Sequence, residues 1–277
     1  MLVWFVTGAS RGFGRQLSEL VLERGDAVVA TARDPSRLAA ELGPHERLLT
    51  AALDISDPDA ANAAVAAALE RFGQIDVLVN NAGRGLIGAV EETSEAEVRA
   101  VFENNVFGTL AVTRAALPSM RRRRSGTIVN VSSVGGMASR SGGGIYAGTK
   151  FAIEGISEAL RAELAPLGIR VVIVEPGAFR TDFHDPGSIH FSGRMIDDYA
   201  ATAGEFRAAA ESTNHRQPGD PRKAAAAMIA AATTVDPPQR LVLGADALAR
   251  IGAKLDQVRS DLDAWREVTV STDLAAD

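Results

Sequence analysis

Tyr146 and Lys150 stand four residues apart, and Ser133 lies thirteen residues before Tyr146. On a helix, residues at that spacing share a face, so the segment would set an ammonium beside a phenol. At about 5 Å and an effective dielectric near 20 the attraction is roughly 3 kcal/mol, or about two pKa units. A phenol is thereby drawn from about 10 toward neutrality, where a proton donor or acceptor works. The Ser133 hydroxyl could hold the same reacting oxygen. The chain has only 2 Tyr, and its lysines stand at 150, 223 and 254, so this pairing is rarer than ordinary composition would make it. Taken alone, the segment also reads as a surface helix start with a solvated Lys.

A second chemical signal lies near the start of the chain. Leu2 to Val6 is a short apolar run ending in Thr7-Gly8-Ala9-Ser10-Arg11-Gly12-Phe13-Gly14, after which Leu17, Leu20 and Val21 recur at helical spacing. Glycines at a strand-to-helix turn let a diphosphate approach the backbone, and the helix N-terminus supplies free N–H groups. A tight turn with no ligand is the alternative. Further apolar strands are predicted over 27–31, 48–53, 77–79, 127–131, 170–175 and 241–243, each separated from the next by helical pattern. Parallel neighbours need crossover connections, so this alternation predicts an α/β fold, a doubly wound parallel sheet with helices on both faces. Such sheets bind ligands beyond the carboxyl ends of their strands. The glycine loop, Asp54, Asn81, Ser133 and Pro176-Gly177 all fall there.

Composition narrows the function classes. With 277 residues and 46% hydrophobic content the chain can bury one sizeable core, and it reads as a single domain over 1–277. No Cys means no disulfide, thiol nucleophile or thiolate zinc site. His45, His184, His190 and His215 show no close ligand spacing, so no metal is expected. A net charge of −6 opposes nucleic-acid binding, and the run Arg121 to Arg124 reads as the basic C-terminus of a helix. Neither a leader peptide nor a membrane-spanning run is evident, so a soluble, cytoplasmic protein is expected.

Taken in order, these motifs resemble the classical short-chain dehydrogenase/reductase family over about residues 3–182. TGASRGFG at 7–14 resembles its cofactor loop, with Gly8, Ser10, Arg11, Gly12, Phe13 and Gly14. Asn80-Asn81-Ala82-Gly83 is similar to its motif after the fourth strand, and Pro176-Gly177 with Thr181 to its motif after the sixth. Asn105, Ser133, Tyr146 and Lys150 match its catalytic set. Gly148, and the run Ser141 to Gly144 without a proline, depart from the family's usual pattern beside the site.

The resemblance implies a Rossmann-type dinucleotide fold and a pyridine-nucleotide oxidoreductase that interconverts a carbonyl and an alcohol. Tyr146 would be the acid/base, Ser133 would hold the substrate oxygen, and Lys150 would lower the Tyr146 pKa and bond the nicotinamide ribose. Asn105 would link Lys150 to solvent through a water. Asp54 and Ile55 would meet the adenine, Asn81, Ala82 and Gly83 would line the cleft, and Phe179 and Thr181 would hold the nicotinamide amide and diphosphate.

Ala32 occupies the position where an NAD-preferring member carries Asp. Arg33 follows it, and Arg11 is a second base aimed at the same pocket, so NADP(H) is the expected cofactor. The competing reading gives Asp34 the ribose and leaves Arg33 solvated.

Residues 178–216 fit no predicted strand and carry Phe179, Phe183, Phe191, Tyr199 and Phe206 among glycines. They resemble the family's substrate lid and point to an apolar or aromatic small molecule. Residues 244–277 are expected to form a C-terminal helical extension. Helices near 98–120 and 150–166 carry apolar residues on more than one face, so a homodimer or homotetramer is expected. A nucleotide-sugar epimerase or dehydratase and a silent NADP-binding regulator are the other functional readings.

Overall fold

The computed structural model describes residues 1–274. Its first half runs β1 (Val3–Val6), α1 (Gly12–Glu23), β2 (Ala27–Ala32), α2 (Ser36–Leu42), β3 (Leu48–Ala52), α3 (Pro58–Phe72) and β4 (Val77–Asn80). A short β5 (Gly85–Ile87) precedes α4 (Glu95–Phe102), α5 (Thr109–Arg123), β6 (Gly126–Val131), α6 (Gly144–Leu164) and β7 (Ile169–Pro176). The chain then forms β8 (Ile189–Phe191), α7 (Glu205–Ser212), α8 (Pro221–Thr233), β9 (Arg240–Leu243), α9 (Ala245–Ala264) and α10 (Arg266–Val270).

Seven strands make one parallel sheet in the order β3-β2-β1-β4-β6-β7-β9. These are the seven strands expected from the sequence, displaced by no more than one residue at either end. Side chains alternate across a strand, so Trp4 and Val6 enter one core layer with Leu17 and Val21 of α1 and Met228 and Ile229 of α8. Phe5 enters the other layer, with Ala61 and Val65 of α3, Val112 and Ala116 of α5, and Leu164 of α6. This is the doubly wound Rossmann-type architecture. Its strand order reverses between β1 and β4, which opens a crevice above their carboxyl ends.

Local chemistry sets the boundaries of the helices that flank the crevice. The Asp57 carboxylate accepts from the N–H groups of Asp59 (2.9 Å) and Ala60 (3.3 Å) at the start of α3, with Pro58 in the first turn. Gly73, in a left-handed conformation at φ 77°, ends it. The arginine run closes α5 as expected, and Arg123 also pairs with Asp76 at 3.0 Å.

The 178–216 segment departs from its expectation, because Ile189–Phe191 forms a parallel pair with β5. A three-residue strand is too short to show alternation in the sequence, and its partner lies about a hundred residues earlier. In the C-terminal extension, residues 245–264 and 266–270 are helical, while 275–277 lie outside the described residues. Among the described residues no helix is long and apolar enough to cross a membrane.

One charged cluster is buried beneath the sheet's far edge. Glu175 of β7 is fully inaccessible, and its Oε1 lies 3.0 Å from Arg240 Nε, which also pairs with Glu154 of α6 at 3.2 Å. Two buried carboxylates share one guanidinium there, which also pairs with the exposed Glu158. Burial, reinforced by the Glu154 charge, pushes the Glu175 carboxyl up to about 7. Because the folded chain holds this proton more tightly than the unfolded one, its stabilising share is complete below the ordinary carboxylate range near 4.5. That share is lost as pH rises through about 7. Glu175→Gln removes the ionisation while keeping the shape, so it is expected to raise unfolding free energy by about 1–3 kcal/mol at pH 8 and by less at pH 5. Urea unfolding at both pH values measures this; an equal or opposite change would show that the carboxylate is stabilised by its partners.

Candidate active site

The glycine loop and the end of β4 close the floor of the crevice by contacts that leave no room for side chains. Gly8 and Gly12 adopt positive φ, 66° and 54°, which a Cβ would strain. A Cβ on Gly8 would come within 2.9 Å of the Ala82 Cα, and one on Gly14 within 2.4 Å of the Gly8 carbonyl oxygen. Asn81 Nδ2 donates to the carbonyls of Thr7 (2.9 Å) and Gly8 (3.1 Å), while Thr7 Oγ1 accepts from the N–H groups of Asn81 and Ala82, both at 3.0 Å. Thr7 was not among the residues singled out in the sequence. Its role as a shared acceptor follows only from the pairing of β1 with β4.

At the N-terminus of α1 the Gly12 N–H donates to Asp182 Oδ2 at 3.1 Å. A carboxylate sits where helix geometry favours an anion. Arg11 Nη2 donates to the Gly187 carbonyl at 3.1 Å, so its guanidinium is turned to the 178–216 segment. Asp34 does not line the crevice, and its carboxylate accepts from Ser36 N–H at 2.9 Å as α2 begins. Arg33, by contrast, lines the crevice beside Asp54, and its charge contributes to holding the Asp54 carboxyl low after the larger effects of the Ser56 hydroxyl and N–H.

Asn105 stands in a π-helical turn, Glu103–Gly108, between α4 and α5. The extra residue in that turn presses Gly108 onto Ile55, where a Cβ would lie 2.8 Å from Ile55 Cγ1, and turns Asn105 inward. Asn105 Oδ1 accepts from Arg84 N–H at 2.9 Å, and Nδ2 donates to the Arg84 carbonyl (2.9 Å) and Thr149 Oγ1 (3.0 Å). Both its donors are therefore spent on fixing the chain after β4 against α6. A Cβ on Gly83 would lie 3.5 Å from Asn105 Oδ1 and 3.7 Å from Lys150 Nζ, so the two groups do converge there.

Tyr146 and Lys150 occupy the first turns of α6, with Lys150 Nζ donating to the Val131 carbonyl at 2.8 Å. The ammonium lies 5.8 Å from the centre of the Tyr146 ring. Ser133 Oγ accepts from Gly135 N–H at 3.0 Å at the end of β6. Burial pushes the Tyr146 phenol up to about 12, opposed by the Ser133 hydroxyl. Burial also pulls the Lys150 ammonium down to about 8, opposed by the Glu154 charge. Burial outweighs the downward pull expected of Lys150 on the phenol, which rises instead. The result at neutral pH is a protonated phenol next to a hydroxyl, with a buried cation one turn away.

These groups open into one cavity of about 740 Å³, within the range of small-molecule and cofactor sites. Of the cofactor-loop, cleft and acid/base residues expected from the sequence, all line it except Gly14 and Asn105, which stand behind its wall. Of the aromatics in the 178–216 segment, Phe183 and Phe206 face the cavity, Phe183 at 5.7 Å from the Tyr146 ring. Phe179 also reaches it but packs edge-on against Phe13 at 5.2 Å. Phe191 and Tyr199 do not line it; Phe191 stacks under Arg207 at 5.5 Å, and the Tyr199 hydroxyl donates to Glu91 at 2.8 Å.

Asp182, Asp185 and His215 come together in the 178–216 segment, a grouping the sequence spacing did not reveal. Asp185 is engaged by Asn214 (2.7 Å) and His215 (2.8 Å), and Asp182 by Gly12. The glycine cradle, the donors at the α1 N-terminus and the adjoining cavity fit a dinucleotide.

Known proteins share this arrangement. The model of the short chain dehydrogenase family matches residues 2–188. The oxidoreductase BOA17 of Botryotinia fuckeliana is 35% identical over 98% of this chain and 98% of its own. A 3-ketodihydrosphingosine reductase of Bacteroides thetaiotaomicron is 36% identical over 86% of each chain. A solved short-chain dehydrogenase from Streptomyces avermitilis is 45% identical, covers 99% of this chain and 100% of its own, and superposes with a TM-score of 0.90. A Burkholderia phymatum structure in complex with NAD is 25% identical over 94% and 95% of the chains, with a TM-score of 0.81. A Burkholderia cenocepacia structure in complex with NADP is 28% identical over 99% and 98%, with a TM-score of 0.70. With the matching fold and glycine cradle, this establishes the chain as a short-chain dehydrogenase/reductase, an NAD(P)(H)-dependent oxidoreductase acting on CH–OH groups.

Proposed function

We propose that the enzyme interconverts a carbonyl and an alcohol on an apolar or aromatic small molecule, uses NADP(H), and employs Tyr146 as the acid/base. The observation that carries this reading is the convergence of Tyr146, Ser133 and Lys150 at one end of the cavity that the glycine cradle opens. When bound, the nicotinamide supplies or accepts the hydride. In the reducing direction Tyr146 gives its proton to the substrate oxygen as negative charge grows there, and the Ser133 hydroxyl donates to the same oxygen and fixes its direction. Lys150, held by Val131, places its charge where the resulting phenolate needs it, and Asn105 fixes the wall around Gly83 and Lys150.

The apolar side of the substrate reading rests on Phe183 and Phe206 at the cavity wall beside Tyr146. The Bacteroides relative is named for a ketone on a long-chain base, which accords with it. Choice of NADP(H) rests on Arg33 lining the cavity after Ala32 while Asp34 is engaged by Ser36. A cytoplasmic setting suits a chain with no Cys. Phe107 and Phe151 are 55% and 46% exposed on the outer side of the π-helical turn and α6, and they support the reading of a homo-oligomer.

Tyr146→Phe is expected to lower kcat by at least about a thousandfold while leaving the cofactor dissociation constant within about twofold, since only the proton donor is lost. Substantial turnover in that variant, over a panel of ketones and aldehydes with NADPH, would place the acid elsewhere.

The rate of reduction is expected to fall as pH rises through about 8, where Lys150 loses its charge, while Tyr146 keeps its proton up to about 12. Lys150→Arg keeps the charge, so whatever activity it retains should lack that break. A wild-type profile flat from pH 6 to 10 would contradict the assignment.

Arg33→Ala is expected to weaken NADPH binding about tenfold and to change NADH binding little, because a charge-assisted phosphate contact is worth about 1.4 kcal/mol or more. Fluorescence titration with both nucleotides measures the pair. An unchanged ratio would return the cofactor choice to NAD(H).

A further inference from the structure

Helix α9 is continuous to Ala264, yet every residue from Ala253 to Leu274 is exposed. Only its first two turns are anchored, where Ala247 and Ile251 pack with Val134, Met137 and Val242. A helical stretch of about a dozen residues without tertiary support is marginal in water. Gly252, inside the helix and with nothing within 4 Å of its Cβ position, weakens it by about 1 kcal/mol more.

The sequence of this stretch is nonetheless patterned. Leu248, Ile251, Leu255, Val258, Leu262 and Trp265 follow one another at alternating steps of three and four. That is the a/d repeat of a two-stranded coiled coil. Five of the six are exposed, from 39% at Val258 to 67% at Leu248, and the positions between them are small, polar or charged. The chain thus carries an apolar seam that its own body does not cover.

We infer that α9 pairs, antiparallel, with α9 of a second copy of this chain. In that orientation Leu248 meets Trp265 of the second copy, Ile251 meets Leu262, and Leu255 meets Val258, so all six seam residues find apolar partners. The flanking charges select the direction. Lys254 and Asp261 flank the seam on the same side, and antiparallel pairing sets each Lys254 opposite the other copy's Asp261, twice over. Parallel pairing would instead set each Lys254 against the other copy's Arg259, a like-charge contact that offsets the attraction of each Asp261 for Arg266, whereas the antiparallel Lys254–Asp261 contacts are all attractive. The mixed face, with Asp256, Asp261 and Asp263 among the basic residues, suits a complementary helix better than an anionic lipid surface. This contact is separate from the Phe107 and Phe151 surface and independent of the catalytic reading.

The test is the assembly state of the full-length chain by sedimentation velocity and light scattering across micromolar concentrations. Leu255→Glu with Leu262→Glu is expected to remove one association step, leaving NADPH binding and the unfolding of the body unchanged. Lys254→Glu alone, and Asp261→Lys alone, should each raise the dissociation constant of that step about tenfold, since each converts two attractive pairs into repulsive ones. The combined Lys254→Glu/Asp261→Lys chain should restore it. An unchanged mass in the seam variant overturns the inference, as it would if α9 served vesicles or another protein. Tighter association by Lys254→Glu alone overturns the antiparallel arrangement, and so does failure of the double variant to recover.

Discussion

The close approach of two backbones at the carboxyl ends of β1 and β4 is the constraint on which the site depends. Asn81 bonds the carbonyls of Thr7 and Gly8, Thr7 bonds back to Asn81 and Ala82, and a side chain on Gly8 or Gly14 would collide with this seam. Only with that contact made does α1 start where it does, with Gly12 and Phe13 of its first turn lining the cavity. The same rigid seam extends inward through Asn80, which donates to Thr113 at 2.9 Å and Asn130 at 2.8 Å, while Asn130 reaches Ser157 at 2.8 Å. These buried amides tie β4 and β6 to α5 and α6. The helix that carries Tyr146 and Lys150 is thereby set in register with the strand that carries the glycine loop.

Burial is the second determinant, and it acts on both proton-carrying groups in opposite senses. The phenol is pushed up and the ammonium down, so two proton affinities that are ordinarily close together are driven apart. A simple surface estimate gives Lys150 control of Tyr146 through Coulomb attraction alone. In the folded chain the attraction competes with desolvation of both partners, and desolvation wins. Ser133, a neutral hydroxyl with no charge to desolvate, is the group that opposes the rise at Tyr146.

The sheet was legible in the sequence because parallel strands are buried on both faces and read as apolar runs, as Val3–Val6 and Ile169–Pro176 do. The Tyr146–Lys150 pair and the glycine loop stood out in the sequence because their residue types are rare or their spacing is strict, whereas Asn105 was picked out by the family resemblance. What the sequence hid was partnership across long separations. Nothing near Thr7 announces that it serves Asn81, and nothing near Ile189 announces the strand at Gly85. The aromatics of the 178–216 segment show the same limit. Five aromatic side chains in one segment suggested a single apolar wall, yet Phe191 and Tyr199 turn to Arg207 and Glu91 while Phe183 and Phe206 turn inward. Composition counts such residues without recording which way each one faces.

The position of the 178–216 segment follows from the same polar logic as the floor. Glu97 accepts from Ser94, from His190 at 2.9 Å and from Gly193 at 3.1 Å, and these donors hold its carboxyl down at about 2. Glu92 accepts from Ala89 and from Ile196, both across short distances of 2.8 and 2.9 Å. Two carboxylates at the start of α4 therefore hold the outer half of that segment, and Asp182 on Gly12 holds its inner half. The inner contact differs in kind, because it places a negative group at a helix N-terminus that also suits a diphosphate. A dinucleotide entering the cradle would compete with Asp182 for the Gly12 N–H, whereas Glu92 and Glu97 would keep their partners. The 178–216 segment is thus held through Glu92 and Glu97 at one end and through Asp182 at the other. Phe183, next to Asp182, is the aromatic whose position over Tyr146 that competition would alter first.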